Sequence, residues 1–307
     1  MERRERKNAV TVLAPAKLNL ALDVVGLLPN GYHALDMTMQ TITLYERVML
    51  RRSAGLSLRL PGSLVQPNDK NTAIKAALAF FHYTGLLAGV EITIYKNVPV
   101  RAGMAGGSSD AAAVLFGVNK MFRLGLTTEE LMQRGVKIGA DVPYCILRGT
   151  ALSEGIGEVL TSLPPVPQCQ VLVAKPGINV STKFVYENLH ANDLKPEQHP
   201  DIDGMIQAIQ DQDLQGIAGK LGNVLETVTV KEYPVIQEIK DKMVEFGAIG
   251  SLMSGSGPTV FGLFTNPKAA QQAYEELRYG ESSGLAKQVY LTNFYNQKEE
   301  NNHGKQA

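Results

Sequence analysis

The residues best suited to chemistry lie in a glycine- and serine-rich stretch, Pro-Val-Arg-Ala-Gly-Met-Ala-Gly-Gly-Ser-Ser, at residues 99–109. Its glycines, Gly103, Gly106 and Gly107, carry no side chain, so backbone N–H groups can approach an anion closely. The two serines at its end add hydroxyls where the N-terminus of a helix favours them. The stretch therefore predicts a loop that binds phosphate.

The elements on either side of this loop support the prediction. Residues 90–95 alternate apolar and polar side chains, which predicts a strand. Residues 110–122 are rich in alanine, with apolar residues three and four apart, which predicts a buried helix. The unpaired N–H groups of that helix and the positive end of its dipole would then face the loop.

Two familiar phosphate loops do not match. A Walker A loop needs a lysine before its serine or threonine, and none stands between Gly107 and Ser108. The dinucleotide pattern Gly-x-Gly-x-x-Gly is not present either. A tight turn that only caps a structural helix stays open as an alternative on these residues alone.

Composition limits the class of protein. The chain has 307 residues, enough for two domains, and its 30 basic residues balance 30 acidic ones, so no overall charge favours nucleic acid or membrane as a partner. No apolar stretch is long enough to predict a membrane span or a signal peptide. Cys145 and Cys169 do not form a Cys-x-x-Cys pair, which indicates a reducing compartment and no metal cage. We expect a cytoplasmic protein.

Three other segments place polar residues among apolar ones. Lys17 and Asn19 flank a leucine in a predicted strand, so both would lie on one face, which is also consistent with a solvated edge. His33 follows a turn and offers a hydrogen-bonding ring, although a surface histidine is the simpler interpretation. Asp141 lies among small and apolar residues, two positions before a proline. Such an aspartate is either a turn or helix-cap residue or a carboxylate that takes part in chemistry.

The prolines at 164–167 predict an extended linker between two domains. We expect an N-terminal domain at 1–163 that carries the phosphate loop and the catalytic residues, a C-terminal domain at 168–295, and a disordered polar tail at 296–307.

Local patterns predict further elements. Residues 9–26 predict two short strands broken at Pro15, residues 72–84 a helix, and residues 233–246 another helix. A second glycine- and serine-rich loop occupies 254–258.

Together these segments resemble a known superfamily. Pro-Ala-Lys-Leu-Asn-Leu (15–20), the loop at 99–109 and Ser-Gly-Ser-Gly-Pro-Thr-Val-Phe (254–261) are similar to the three motifs of the galactokinase, homoserine kinase, mevalonate kinase and phosphomevalonate kinase superfamily. Within it, the first of these segments, Asn-Gly-Tyr-His (30–33) and Gly-Ala-Asp-Val-Pro (139–143) resemble the 4-diphosphocytidyl-2-C-methyl-D-erythritol kinase family of the non-mevalonate isoprenoid pathway.

The resemblance implies a two-domain α+β fold, with an N-terminal domain like the second domain of ribosomal protein S5 and a ferredoxin-like C-terminal domain. It implies ATP and Mg²⁺, and phosphorylation of the 2-hydroxyl of a cytidine diphosphate sugar alcohol by a monomer or homodimer. Another small-alcohol kinase, of the homoserine or mevalonate type, is the alternative. A non-catalytic nucleotide-binding module is a weaker one, because both Lys17 and Asp141 are present.

The resemblance also implies residue roles. Asp141 would accept the proton of the substrate hydroxyl, with Lys17 paired tightly to it. Asn19 would lie near the reacting hydroxyl, while Tyr32 and His33 would hold the cytidine and Tyr186 would lie against the cytosine ring.

On the nucleotide side, Ser109 is the candidate Mg²⁺ contact. Arg101 and Met104 depart from the small or aliphatic residues usual in the family, which backbone binding of phosphate tolerates. The residues implied in ATP binding are Asn71, Lys96, Pro99, Val100, Arg101, Ala102, Gly103, Met104, Ala105, Gly106, Gly107, Ser108 and Ser109.

Overall fold

The computed structural model describes residues 9–28 and 31–296, and the strands in these ranges form two sheets. The strands of the seven-stranded first sheet are β1 (Ala9–Leu27), β2 (His33–Ser53), β3 (Ser57–Arg59), β4 (Gly89–Tyr95), β5 (Thr150–Gly155), β6 (Val159–Ser162) and β8 (Gly222–Asn223). The strands of the four-stranded second sheet are β7 (Gln170–Lys175), β9 (Gly250–Met253), β10 (Val260–Phe264) and β11 (Gln288–Asn293).

Helices connect and cover these strands. The α-helices of the described ranges are α1 (Thr72–Thr84), α2 (Gly106–Phe122), α3 (Thr128–Gly135), α4 (Val142–Leu147), α5 (Thr182–Glu187), α6 (Ile202–Gln210), α7 (Leu214–Gly219), α8 (Glu226–Glu232), α9 (Val235–Glu245) and α10 (Pro267–Tyr279). Short 3₁₀ turns lie at Ala191–Asp193, Pro196–Gln198 and Glu281–Gly284.

The first sheet is centred on two long antiparallel strands, β1 and β2. The prediction of two short strands broken at Pro15 is wrong, because β1 runs through this proline and absorbs it in a register shift between Pro15 and Lys17. The continuous strand puts Lys17 and Asn19 in the interior, with Lys17 only 6% exposed, so the solvated-edge interpretation is also wrong.

The predicted helices agree best with the structure where the local sequence signals are strong. α1 spans the predicted residues, and the Asn71 side chain caps it by accepting from the backbone N–H of Ala73. α4 was not predicted, since it has only six residues and carries Pro143 in its first turn. The predicted helix at 233–246 starts two residues late, at Val235, after Pro234.

The second sheet has the order β11-β7-β10-β9, with α10 between β10 and β11. Its chain order, a strand, helices, two adjacent strands, a helix and a final strand, is the ferredoxin-like βαββαβ arrangement. This confirms the predicted α+β class and the ferredoxin-like C-terminal part.

The proline-rich segment between β6 and β7 is packed against the protein. Val166 is buried, its carbonyl accepts from the Asn296 side chain, and the carbonyl of Pro165 accepts from Gln212. Hydrophobic clusters join the two sheets, with Met39 and Tyr144 in the same cluster as Leu172. The domain limits at 163 and 168 therefore stay a prediction, and the predicted tail lies outside the described residues from 297 onward.

Within the described ranges, none of the helices combines the length and the apolar character that crossing a membrane requires.

Candidate active site

The predicted strand, loop and helix around 99–109, hereafter the phosphate loop, are present as β4, a loop and α2. Arg101, Gly103 and Ala105 have positive φ angles of 52°, 72° and 54°, and the residues between them do not. Backbone that alternates in this way turns successive N–H groups toward one side and forms a concave anion site. Two non-glycine residues hold an unfavourable φ here, which requires that the surroundings fix the loop.

A cleft of about 370 Å³ lies over this loop and opens beside a larger one of about 970 Å³. These volumes are in the range that nucleotide-sized ligands occupy. The smaller cleft brings together the residues implied in ATP binding except Ser108 and Ser109. Its walls are formed by Val65, Asn71, Thr72, Lys96, residues 99–107 and Asp110. A separate cleft of about 650 Å³, near Thr11 and Phe116, contains none of the predicted site residues.

The second glycine- and serine-rich loop holds the phosphate loop from the C-terminal side. The Ser254 hydroxyl donates to the carbonyl of Gly103 at 3.0 Å. A Cβ at Gly103 would lie 2.0 Å from the Ser254 carbonyl oxygen, so only glycine fits this close backbone approach. The Asn223 side chain in turn donates to the carbonyls of Met253 and Gly255, each at 2.8 Å.

Strand β1 holds the same loop from the other side. The Lys17 backbone N–H donates to the carbonyl of Met104 at 3.3 Å, and the Ser109 hydroxyl donates to the carbonyl of Pro15 at 2.7 Å. Ser109 is 1% exposed, so this contact anchors α2 to β1 and argues against the implied Mg²⁺ role. Ser108 is only partly buried, and its side chain has no hydrogen-bond partner within the described ranges.

Lys17 and Asp141 share a neighbourhood without forming an ion pair. The Lys17 Nζ donates to Asn19 Oδ1 at 2.6 Å, and the ion pairs of residues 9–28 and 31–296 do not join Lys17 to Asp141, so the expected tight pair is wrong. Burial raises the pKa of the Cys145 thiol, the Asp141 charge adds to that rise, and the Lys17 charge opposes it. Both charges therefore act on one thiol in α4, the helix that follows Asp141 directly.

Two of the three residues implied in cytidine binding, His33 and Tyr186, contact each other. The rings of His33, at the start of β2, and Tyr186, on α5, lie 5.1 Å apart with an interplanar angle of 38°. Burial, and next the charge of Asp141, raise the pKa of Tyr186 to about 12. The charge of Asp141 thus acts on both the Cys145 thiol and the Tyr186 phenol. Tyr32 is 61% exposed beside them, while Asn30 of the same motif lies outside the described residues.

A buried carboxyl near the phosphate loop, that of Glu46, was not predicted from the sequence. Lys96 Nζ donates to Glu46 Oε2 at 2.5 Å and to Asp110 Oδ2 at 2.8 Å. Burial and the Asp110 carboxyl raise the pKa of Glu46 to about 9, against the opposing charge of Lys96. The sequence signal was Asp110, an acidic residue directly before an apolar run at the start of α2, whereas Glu46 lies in a strand with several other charged residues. The Lys96 ammonium therefore pairs with the Asp110 carboxylate and donates to the Glu46 carboxyl at the wall of the cleft.

Comparison with known proteins defines the class first. Family models described as the GHMP kinases N-terminal domain and the GHMP kinases C-terminal domain match residues 71–149 and 205–281. The fold agrees, since a homoserine kinase from Cytophaga hutchinsonii superposes with a TM-score of 0.76 at 20% identity, over 93% of this chain and 94% of that one. The phosphate loop and the second glycine- and serine-rich loop at 254–258 thus lie within GHMP kinase domains. The protein is a phosphotransferase.

Closer relatives define the branch of that class. A 4-diphosphocytidyl-2-C-methyl-D-erythritol kinase from Lachnoclostridium phytofermentans is 50% identical, covering 94% of this chain and 98% of the relative. One from Lachnospira eligens is 49% identical over 92% and 98%. A crystal structure of 4-(cytidine 5'-diphospho)-2C-methyl-D-erythritol kinase is 29% identical, with a TM-score of 0.78 over 94% of this chain and 100% of that one. The chain belongs to the 4-diphosphocytidyl-2-C-methyl-D-erythritol kinase family, as its motifs predicted.

Proposed function

We propose that this protein transfers the γ-phosphate of ATP to the 2-hydroxyl of 4-diphosphocytidyl-2-C-methyl-D-erythritol. The observation that carries the proposal is the presence in one protein of a cleft over the phosphate loop and of an aromatic pair, His33 and Tyr186, with ring centroids 5.1 Å apart. The charge of Asp141 contributes to the raised pKa of Tyr186, which supports a role for this carboxylate near the aromatic pair.

ATP binds with its phosphates on the phosphate loop and its nucleoside in the adjoining clefts. The N–H groups of the loop and the N-terminus of α2 supply fixed positive dipoles to the β- and γ-phosphate oxygens. Asn71 and Lys96 form the wall that faces the nucleoside.

Asp141 is the proton acceptor in the transfer step. As the substrate oxygen attacks the γ-phosphorus, its proton passes to the Asp141 carboxylate, and ADP leaves. The Lys17 ammonium donates one of its three N–H bonds to Asn19, which leaves two for the oxygens of the transferred group. Asn19 orients that amine and lies beside the reacting hydroxyl.

Mg²⁺ is the expected metal, and when bound it neutralises charge on the phosphate oxygens. The residues present suit such an ion. The Ser108 hydroxyl has no side-chain partner among the residues described, and Asp110 lines the cleft with its Oδ1 buried and unpartnered. Ser108 and Asp110 are the groups that would hold it.

The cytosine end of the substrate binds at Tyr32, His33 and Tyr186, which we call the aromatic clamp. Stacked rings prefer the offset and tilted geometries that these side chains offer, and a hydrogen-bonding ring reads the edge of a base. Balanced charge supports a small-molecule partner over nucleic acid, and two unpaired buried cysteines are compatible with the reducing cytoplasm.

A coupled ADP-release assay with three acceptors tests this proposal. We expect turnover with 4-diphosphocytidyl-2-C-methyl-D-erythritol, and none above background with homoserine or mevalonate. Phosphorus NMR of the product should show a new phosphomonoester resonance. Faster ADP release with homoserine or mevalonate would assign the protein to another branch of small-alcohol kinases, and no ADP release with any acceptor would contradict catalysis.

A further inference from the structure

The helix that carries Tyr186 is short and depends on other parts of the protein for its position. α5 has six residues, fewer than an isolated helix needs to form in water. Ser181 caps it by accepting from the Phe184 N–H. Cap hydrogen bonds fix the start of a helix but do not fix its location on the protein, so a tertiary contact must do so.

The buried Val185 side chain packs α5 against the hydrophobic core, and a pair of hydroxyls adds a directional polar contact. Thr182 Oγ1, on the first residue of α5, lies 2.8 Å from Ser256 Oγ in the second glycine- and serine-rich loop. Thr182 and Tyr186 are four residues apart, so they share one face of the helix. A shift at Thr182 is therefore carried directly to the tyrosine ring.

The other partner in this pair is rigidly held. Ser256 lies two residues after Ser254, whose hydroxyl bonds to Gly103 of the phosphate loop. The Asn223 side chain fixes Met253 and Gly255 on either side of Ser254. The 253–256 segment thus contacts the phosphate loop at one residue and the aromatic helix at another.

We propose that Thr182 and Ser256 are positioning residues for the substrate base: their hydroxyl contact fixes α5 so that Tyr186 lies against His33 at a set distance from the phosphate loop. The role rests on the proposed function only in naming the base as cytosine. The positioning itself concerns contacts within the protein.

The pair makes a specific kinetic prediction. Thr182→Val keeps the shape of the side chain and removes the hydroxyl, and it should raise KM for 4-diphosphocytidyl-2-C-methyl-D-erythritol about three- to tenfold, the loss expected for one hydrogen bond. KM for ATP should change less than twofold, because the Ser254–Gly103 contact remains. Thr182→Ser restores the hydroxyl and should restore KM.

A double-mutant cycle identifies the partner. Ser256→Ala should raise the same KM, and the Thr182→Val/Ser256→Ala double variant should be no worse than either single one. Additive effects would overturn the pairing. Thr43→Val is the matched control, since Thr43 forms a similar hydroxyl contact with Thr292, at 2.9 Å, between β2 and β11. It should leave KM for the cytidine substrate unchanged.

Hydrogen exchange of the ligand-free protein separates this inference from the proposed function. Backbone amides of α5, such as that of Val185, should exchange severalfold faster in Thr182→Val than in the wild type and in Thr182→Ser. Unchanged exchange in α5 would overturn the inference even if the wild type phosphorylates the cytidine substrate. If the wild type does not use that substrate, faster exchange still supports the positioning contact, while the proposed function fails.

Discussion

The phosphate loop is fixed by hydrogen bonds from three directions, whereas the aromatic clamp consists of side chains near the start of β2 and on α5. β1, the 253–256 segment and α2 all bond to the loop, and two non-glycine residues keep an unfavourable φ as a result. At the other end, the His33 and Tyr186 rings touch, and Tyr32 is mostly exposed. The difference follows from the ligands, since phosphates are alike in every kinase while the second substrate is not.

This comparison has a consequence for mutations. Changes to the loop should act on ATP and depend on backbone fit, while changes to the clamp should act on the second substrate and depend on ring area. Asp141, the proposed proton acceptor, should affect the transfer itself.

The largest effect is expected for Asp141→Asn, because it removes the proposed proton acceptor and retains the side-chain shape. kcat should fall by about 10²–10⁴. ATP affinity measured by calorimetry should stay within about twofold, since Asp141 does not line the nucleotide cleft. Turnover near the wild-type rate would show that another group takes the proton.

Gly103→Ala tests the backbone fit of the phosphate end. The new Cβ would overlap the Ser254 carbonyl oxygen, so ATP affinity should fall at least about tenfold by calorimetry while CDP binding changes little. Gly125→Ala is the matched control, because Gly125 has a similar φ of +68° and open space around it. Equal losses of ATP affinity in both variants would point to general strain and contradict the loop contact.

Tyr186→Ala tests the clamp end. Loss of the ring contact should raise KM for the cytidine substrate about three- to tenfold, with KM for ATP unchanged. Tyr186→Phe keeps the ring and should stay close to the wild type. Tyr32→Ala should act in the same direction, and an equal rise in both Michaelis constants for either alanine variant would contradict a separate aromatic site.

The smallest effect is expected beneath the phosphate loop, at Glu46→Gln. The pKa of Glu46 is raised from 4.5 to about 9, so the native state favours the protonated carboxyl, and this contribution to stability is lost as pH rises from about 5 through 9. Glu46→Gln has no carboxyl to ionise at this position, so its stability lacks this pH dependence. In urea unfolding, the stability of the wild type relative to Glu46→Gln should fall between pH 5.5 and pH 9 by at least about 1 kcal/mol, since each unit of pKa shift corresponds to about 1.4 kcal/mol. A constant difference would show that Glu46 does not titrate in this window.

Sequence patterns predicted the elements whose signals are local. The phosphate loop, α1 with its Asn71 cap and the shared face of Lys17 and Asn19 all follow from residues close together in the chain. The continuous β1 was missed because a proline usually ends a strand, and only pairing with β2 shows that a register shift absorbs it.

Contacts between residues far apart in the sequence were the main features that the sequence did not predict. Glu46 and Lys96 are fifty residues apart, and no periodicity links them. The resemblance indicated Lys17 with Asp141 and His33 with Tyr186 as functional groups, yet it did not give their contacts: the lysine bonds to Asn19, and the two rings lie against each other. Such details depend on packing of the whole chain.

Strand β8 has only two residues, Gly222 and Asn223, yet it adds to the first sheet in parallel with Ala21 and Leu22 of β1. On the ribosome, that edge of β1 therefore remains without its partner until more than two thirds of the 307-residue chain has been made. An unpaired strand edge is a site of association between nascent chains. The first sheet is thus complete only after Gly222 and Asn223 have been synthesised.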